Sequence, residues 1–137
     1  MRRRLAREIA LKALFQMDLA RQSFEKALQF AHDGHTLDDA SSRFARDLVV
    51  GIWENRPQLD AIISQHAVGW TVRRMAVVDR NILRIGCHEL LSGAGLSPRV
   101  AINEAVEMAK KYGTVDSAKF INGVLGTVAR QAVDAKE

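Results

Sequence analysis

The sequence is poor in cysteine and has no long apolar run. Its single cysteine, Cys87, cannot form a disulfide within the chain, and no spacing of cysteine and histidine matches a zinc site. No apolar run reaches the ~18 to 20 residues that span a bilayer, because charges such as Arg46 and Arg84 interrupt the longest ones. We therefore expect no metal, no cofactor and no membrane contact, and a location in the reducing cytoplasm.

Motifs that carry catalysis are also missing from the sequence. There is no glycine-rich phosphate loop, no nucleophile elbow, and no HExxH or CxxC pair. The four histidines, at positions 32, 35, 66 and 88, are scattered at no ligand spacing. The sequence therefore predicts no catalytic residues and no enzymatic activity.

Apolar residues recur at three- and four-residue spacing almost everywhere, and this pattern predicts an all-α fold. With 137 residues, 47% of them hydrophobic and 26% charged, we expect a single globular domain over residues 1–137. The least periodic segment, 68–76, is predicted to connect two helical halves of about four and three helices. The seven predicted helices span residues 3–20, 24–33, 38–54, 57–67, 77–92, 98–112 and 116–133.

The net charge of +4 is concentrated at the start of the chain. Residues 1–7 contain four arginines and no acid, and the remainder holds 16 basic and 16 acidic residues. Cations near a helix N-terminus oppose the macrodipole by ~0.3 to 1 kcal/mol each, so they do not stabilise the helix that follows. Contacts to nucleic-acid phosphates explain them better, and the lack of a helix-turn-helix favours single-stranded RNA over duplex DNA. The four arginines are Arg2, Arg3, Arg4 and Arg7.

A targeting signal is a weaker explanation of the same arginines. Transit peptides and secretory leaders carry a basic start before an apolar or amphipathic stretch. Here Glu8, Lys12 and Asp18 interrupt that stretch, and no small-residue cleavage site follows it. We therefore expect the first helix to be part of the fold.

A second apolar stripe on the first helix is formed by Leu11, Phe15 and Leu19, roughly opposite the predicted core face. Such a stripe among charges indicates either a helix that is buried on two sides or a surface that docks a partner. The pattern alone favours neither of the two.

Two other helices carry residues that the predicted core does not explain. In the helix at 77–92, Asn81 and Arg84 lie opposite the apolar face, which indicates either a basic binding face or an ordinary solvated one. In the last helix, Phe120 lies beside Lys119, a pairing that suits base stacking next to phosphate neutralisation. The alternative is that Phe120 packs at the edge of the core.

Four segments of the sequence together resemble the NusB family of bacterial transcription antitermination factors. They are RRRLAREIALKALFQMD, DRNILRIGCHELL, PRVAINEAVEMAKKYG and DSAKFINGVL, and they follow in the expected order over nearly the full chain. The resemblance implies an all-helical fold of seven helices in two packed bundles. It also implies that the protein pairs with the small-subunit ribosomal protein NusE, binds boxA RNA of nascent ribosomal transcripts, and helps the RNA polymerase antitermination complex to resist termination without catalysis.

The resemblance also assigns roles to individual residues. The partner face maps onto Leu11, Phe15, Asp18 and Asp79. The family often carries tyrosine where this chain has Phe15, which keeps the apolar ring and loses a hydroxyl. The residues expected to contact RNA are Arg2, Arg3, Arg4, Arg7, Arg84, Asp116, Ser117, Lys119, Phe120 and Asn122.

Three alternatives stay open at the level of the sequence. A related helical domain occurs at the N-terminus of some ribosomal RNA cytosine methyltransferases, although no cofactor-binding region follows within the 137 residues. The chain also fits a protein-binding helical adaptor whose arginines are incidental. In the third alternative the apolar stripe of the first helix seals a homodimer.

Overall fold

The computed structural model describes residues 2–92 and 96–136, and the side chains of its last helix as far as residue 132. Within these ranges the chain forms seven α-helices, a short 3-10 helix and no strand, which confirms the predicted fold class. Each helix begins and ends within a few residues of its predicted limits. The helices are α1 (Arg3–Leu19), α2 (Phe24–His32), α3 (Asp39–Glu54), α4 (Arg56–His66), α5 (Val77–Leu91), α6 (Pro98–Tyr112) and α7 (Ser117–Lys136), with the 3-10 helix at Val72–Arg74.

The chain divides into two compact units after α3. In the first unit, α1 packs against α2 and α3. In the second unit, α5 packs against α4, α6 and α7, and α7 also packs against α4 and α6. None of the described helices combines the length and the apolar character needed to cross a membrane.

The predicted boundary between the two halves is wrong. The segment 68–76 lies inside the second unit, so the units hold three and four helices instead of four and three. Glu54 ends α3 and Arg56 begins α4, which leaves only Asn55 between the two helices. Because so short a connection has no linker composition, the sequence gives no signal of the boundary.

Small side chains allow close packing around α1 in the first unit. Ala6, Ala10 and Ala13 are fully buried, and between them Ile9 and Leu14 are fully buried as well. Burial of each large aliphatic side chain stabilises the fold by ~1.5 to 3 kcal/mol. The predicted core face of α1 is therefore confirmed.

In the second unit α5 is the central helix, and its side chains are buried over much of its circumference. Ile82, Leu83 and Ile85 are fully buried, and Gly86 lets α7 approach. A Cβ added at Gly86 would lie only 2.5 Å from Cδ1 of Leu125. A helix enclosed in this way buries polar residues along with apolar ones.

Side chains cap two of the helices as the sequence predicts. Ser97 precedes Pro98 at the start of α6, and its hydroxyl accepts a hydrogen bond from the Val100 N–H at 3.3 Å. Asp38 precedes α3 and accepts hydrogen bonds from the N–H of Ser41 at 3.1 Å and from its hydroxyl at 2.6 Å. These hydrogen bonds, first of all that from the hydroxyl, lower the pKa of the Asp38 carboxyl below its ordinary value.

Candidate nucleic-acid interface

The connection between α6 and α7 is held by Ser117, one of the residues predicted to contact RNA. Ser117 is buried, and its hydroxyl accepts a hydrogen bond from the Thr114 N–H at 2.9 Å. Gly113, which follows α6, has an extended backbone with a φ of −94°. Glycine is required there for a steric reason, because a Cβ would lie 2.5 Å from the Ser117 hydroxyl oxygen and 2.8 Å from the Ala109 carbonyl oxygen. Ser117 is therefore a buried residue that stabilises the connection at the start of α7.

The structure exposes three of the other residues at the start of α7 and just before it that were predicted to contact RNA. Asp116, Lys119 and Asn122 are exposed, and Phe120 is half-buried. Asp116, Lys119 and Phe120 line one open concavity together. The first turns of α7 thus present a cation, an aromatic ring and hydrogen-bonding groups on one surface.

Trp70 completes this surface and was missed by the sequence reasoning. Its ring meets the Phe120 ring edge to face, with centroids 6.2 Å apart and an angle of 64° between the planes. Trp70 is 49% exposed, although its ring has a large apolar surface. The available signal was an aromatic residue inside the least periodic segment, followed closely by Arg73 and Arg74.

Two concavities adjoin the Trp70 and Phe120 rings, and both are lined by these rings and Asp116. The first, of about 340 Å³, also has Arg74 and Asp79 in its lining. The second is wider, at about 480 Å³. Its other lining residues are His66, Ala67, Val68, Lys119, Gly123 and Val124.

Asp79 was assigned to the partner face, and the structure places it beside the predicted RNA residues. It is half-buried in the first turn of α5 and lines the first concavity with Asp116 and Phe120. Phe15 and Asp18 lie in the first unit, whereas Asp79 lies in the second. The four residues of the predicted partner face therefore come from separate units.

Arg84 does not form the exposed basic face that the sequence suggested. Only 4% of it is exposed, and its guanidinium is bound by the Asp60 carboxylate through Nε to Oδ1 and Nη2 to Oδ2, both at 2.8 Å. Its Nη1 donates to Asn81 Oδ1 at 2.9 Å, and the Asn81 amide donates to the Val77 carbonyl oxygen at 2.8 Å. Asn81 is fully buried as well. In this structure Arg84 therefore joins α5 to α4, and its contact with RNA stays a prediction.

The N-terminal arginines also differ in their burial. Arg2, Arg3 and Arg4 are exposed, whereas Arg7 is only 3% exposed. The guanidinium of Arg7 lies 5.4 Å from the centroid of the Phe44 ring in α3, within the range of a cation–π interaction. In this conformation the Arg7 side chain is packed inside the first unit, and its contact with RNA phosphates stays a prediction.

The apolar stripe of α1 is mostly covered. Leu11 is only 3% exposed, so the interpretation of a helix buried on two sides applies to it in this structure, and its place on a partner surface stays a prediction. Phe15 and Asp18 are half-buried, and Leu19 is 57% exposed. The part of this apolar stripe that is accessible to a partner therefore lies in the last turn and a half of α1.

Comparison with known proteins identifies the family. The sequence model of the NusB family matches residues 4–130. The chain belongs to the NusB family. It is 46% identical over 138 residues to the transcription antitermination protein NusB of Symbiobacterium thermophilum, covering 95% of this chain and 90% of that protein. The resemblance that the four sequence segments indicated is thereby confirmed.

Solved structures of NusB proteins have the same fold. The structure of T. maritima NusB is 38% identical in sequence and superposes with a TM-score of 0.87, covering 96% of this chain and 92% of that one. A chain from the crystal structure of the antitermination factors NusB and NusE in complex with dsRNA is 26% identical, with a TM-score of 0.85. That match covers 94% of this chain and 96% of the other.

The single thiol of this NusB-family chain is unreactive. Cys87 is fully buried in α5, and burial, followed by the negative charge of Asp60, raises its pKa to about 12. Burial also lowers the pKa of His88, the next residue in α5. In the part of the chain that the structure describes, no three His, Cys, Asp or Glu residues are grouped so that they could hold a metal ion.

Proposed function

We propose that this NusB-family chain is a transcription antitermination factor that binds boxA RNA of nascent ribosomal transcripts together with the ribosomal protein NusE. A relative 46% identical bears the name transcription antitermination protein. Another relative was crystallised with NusE and dsRNA. The observation on this chain that carries the proposal is the surface at the start of α7, where Lys119 and Phe120 adjoin the exposed Trp70.

The chemistry of this surface suits RNA. Lys119 neutralises a backbone phosphate, and an adjacent aromatic ring stacks on an unpaired base, a combination that is common in proteins that bind single strands. Asp116 and Asn122 supply hydrogen-bonding groups for base edges and sugar hydroxyls. The exposed Arg2, Arg3 and Arg4 add long-range attraction for the phosphate backbone.

For the protein partner we retain Phe15 and Asp18, whose side chains are partly accessible, and we omit the buried Leu11 and also Asp79, which lines the first concavity with the proposed RNA residues. A half-exposed aromatic ring followed one helical turn later by a carboxylate, as Phe15 is by Asp18, suits a basic protein surface. Ribosomal proteins that contact RNA carry such basic surfaces. In this role the chain couples an RNA and a partner to RNA polymerase in the cytoplasm, and it needs no catalytic group.

The test is RNA binding measured by fluorescence anisotropy, with and without the NusE protein of the same organism. We expect labelled single-stranded boxA RNA to bind weakly to the chain alone and more tightly with NusE, with an affinity that falls as salt rises. An RNA of the same length with a scrambled sequence should bind less tightly. Equal binding of both RNAs, with no enhancement by NusE, would refute the proposal.

A matched pair of variants locates the site. Phe120→Ala should weaken RNA binding by at least about fivefold, because stacking on a base is worth ~1 to 3 kcal/mol. Phe30→Ala removes an aromatic ring that is 59% exposed on α2 and should leave RNA binding unchanged. An equal loss in both variants would point to a general effect of surface aromatics.

A further inference from the structure

Trp70 lies next to the proposed RNA site, and about half of its surface is exposed. Its neighbour in sequence Val68 is 95% exposed, and Val115 on the connection before α7 is 98% exposed. Apolar side chains in water gain nothing for the stability of a monomer, and a cluster of them beside charged residues marks a binding surface. The same ring lines both concavities of this surface.

We propose that Trp70 binds RNA directly, and that the two concavities beside Trp70 and Phe120 receive adjacent unpaired nucleotides of one strand. The proposal deepens the proposed function and rests on it, because it names the conformation of the RNA and a residue that recognises it.

The geometry of the two rings requires two bases. Stacking needs a base nearly parallel to the aromatic plane, and the planes of Trp70 and Phe120 are inclined at 64°. One base therefore cannot stack on both rings. Two bases, one on each ring, can occupy the two concavities, each of which is lined by both rings. The edge-to-face contact at 6.2 Å keeps the two rings fixed before RNA arrives.

The charges around the two concavities fit a strand that passes over the ring pair. Exposed Arg74 borders the first concavity and exposed Lys119 borders the second, so each nucleotide has a cation for its phosphate. Asp79 and Asp116 both line the first concavity. Carboxylates accept hydrogen bonds from the amino groups of bases, so the first concavity should prefer a base that has an exocyclic amine.

Gly123 leaves room for the strand at the second concavity. A Cβ added at Gly123 would meet nothing within 4 Å, so the helix surface is bare there, next to Lys119. A bare glycine lets a sugar-phosphate backbone come close to the helix. Duplex RNA cannot use this arrangement, because its bases are paired and stacked on one another.

The experiment compares Trp70→Ala and Trp70→Phe with the wild-type chain in complex with NusE, using labelled single-stranded boxA RNA and the same sequence as a duplex. Trp70→Ala should weaken single-strand binding by at least about fivefold, and Trp70→Phe, which keeps an aromatic ring, by less. Binding of the duplex should change little in either variant. Phe30→Ala serves again as the control for loss of an exposed aromatic ring.

Fluorescence gives an independent measurement. The chain has two tryptophans, so in a Trp53→Phe background the emission of Trp70 is observed alone. We expect saturating single-stranded RNA to quench this emission, because a stacked base contacts the indole.

The outcomes separate the two proposals. If Phe120→Ala weakens RNA binding while a folded Trp70→Ala variant binds like the wild type and no quenching is seen, this inference is overturned and the proposed function stands. If the wild-type complex binds no boxA RNA, both fail. If Trp70→Ala does not fold, the RNA affinity of Trp70→Phe and the quenching of the Trp70 emission decide whether Trp70 contacts RNA.

Discussion

Arg84 and Asp60 form a bidentate ion pair that joins α5 to α4, with both nitrogen to oxygen distances at 2.8 Å. The Arg84 side chain is 5% exposed and that of Asp60 is 27% exposed. The carboxylate therefore retains some water, whereas the guanidinium depends on its protein partners, which include Asn81. A pair of this kind is costly to break from one side, because the remaining charge stays buried.

We expect Asp60→Ala to lower the free energy of unfolding by about 3 kcal/mol, since it leaves the Arg84 guanidinium buried without its counterion. Urea denaturation followed by circular dichroism measures the change. Glu107→Ala is the matched control, because it removes an exposed ion pair with Lys110 at 3.4 Å and should cost less than about 0.5 kcal/mol. Equal effects of the two substitutions would contradict the structural role given to Arg84.

The helices could be predicted from the sequence because their signals are local. The apolar spacing of three and four residues fixes where a helix runs, and caps such as Asp38 and Ser97 fix where it begins. These signals involve neighbours within a few residues. The limits of the helices are therefore close to the predicted ones.

The burial of individual polar and apolar residues could not be predicted, since it depends on how many helices surround the helix on which they lie. A helical wheel divides α5 into an apolar and a polar face, but α5 packs against three helices, so Arg84 and Asn81 are buried with the apolar residues. The same effect covers Arg7 and Leu11 in α1. An arginine that contacts a phosphate and one that contacts a carboxylate on a neighbouring helix have the same signature in the sequence.

The role of Trp70 could not be predicted from the sequence either. It lies outside the periodic helices, where no wheel assigns it to a face, and its relation to Phe120 joins residues that are 50 positions apart. Only the packing of the chain segments in the second unit brings the two rings together. The motif at the start of α7 could therefore be found from the sequence, but its aromatic neighbour could not.

Gly113→Ala should destabilise the second unit by about 1 to 3 kcal/mol, because its Cβ would overlap the Ser117 side chain and the Ala109 carbonyl oxygen. Gly123→Ala is the matched control, since the added Cβ meets open space in the middle of α7 and should stabilise the helix by about 0.5 to 1 kcal/mol. Thermal denaturation of both variants gives the comparison. Stabilisation of the fold by both substitutions would show that the connection between α6 and α7 shifts to make room for the added Cβ at little cost in free energy.

The exposed and the buried arginines of the first helix should behave differently. Replacement of Arg2, Arg3 and Arg4 by alanine should weaken RNA binding and reduce the slope of log Kd against log salt by about 2, since each phosphate contact contributes ~0.7 on a single strand. Arg7→Ala should leave the slope unchanged and lower the free energy of unfolding by at least about 1 kcal/mol, because it removes a buried side chain packed on Phe44. A flattened slope in the folded Arg7→Ala variant would return Arg7 to the RNA contacts.

The Asp38 cap gives the first unit a dependence on pH that a substitution can isolate. The hydroxyl and the N–H of Ser41 donate to the Asp38 carboxylate and hold its pKa below the ordinary value of 3.8. Because the pKa is lower in the folded state than in the unfolded chain, the charged carboxylate stabilises the fold fully above pH 3.8. This contribution is lost as the pH falls through the lowered pKa.

Asp38→Asn keeps an oxygen that can accept the hydrogen bond but cannot ionise. The wild type should therefore be more stable than Asp38→Asn near neutral pH, and the difference should shrink as the pH falls below the ordinary carboxyl pKa. Urea denaturation of both proteins at a series of pH values measures it. In a Ser41→Ala background the donors to the side chain are reduced to the backbone N–H, so the pH dependence of the difference should be smaller. A difference that stays constant on acidification would show that the charge of Asp38 contributes nothing to the cap.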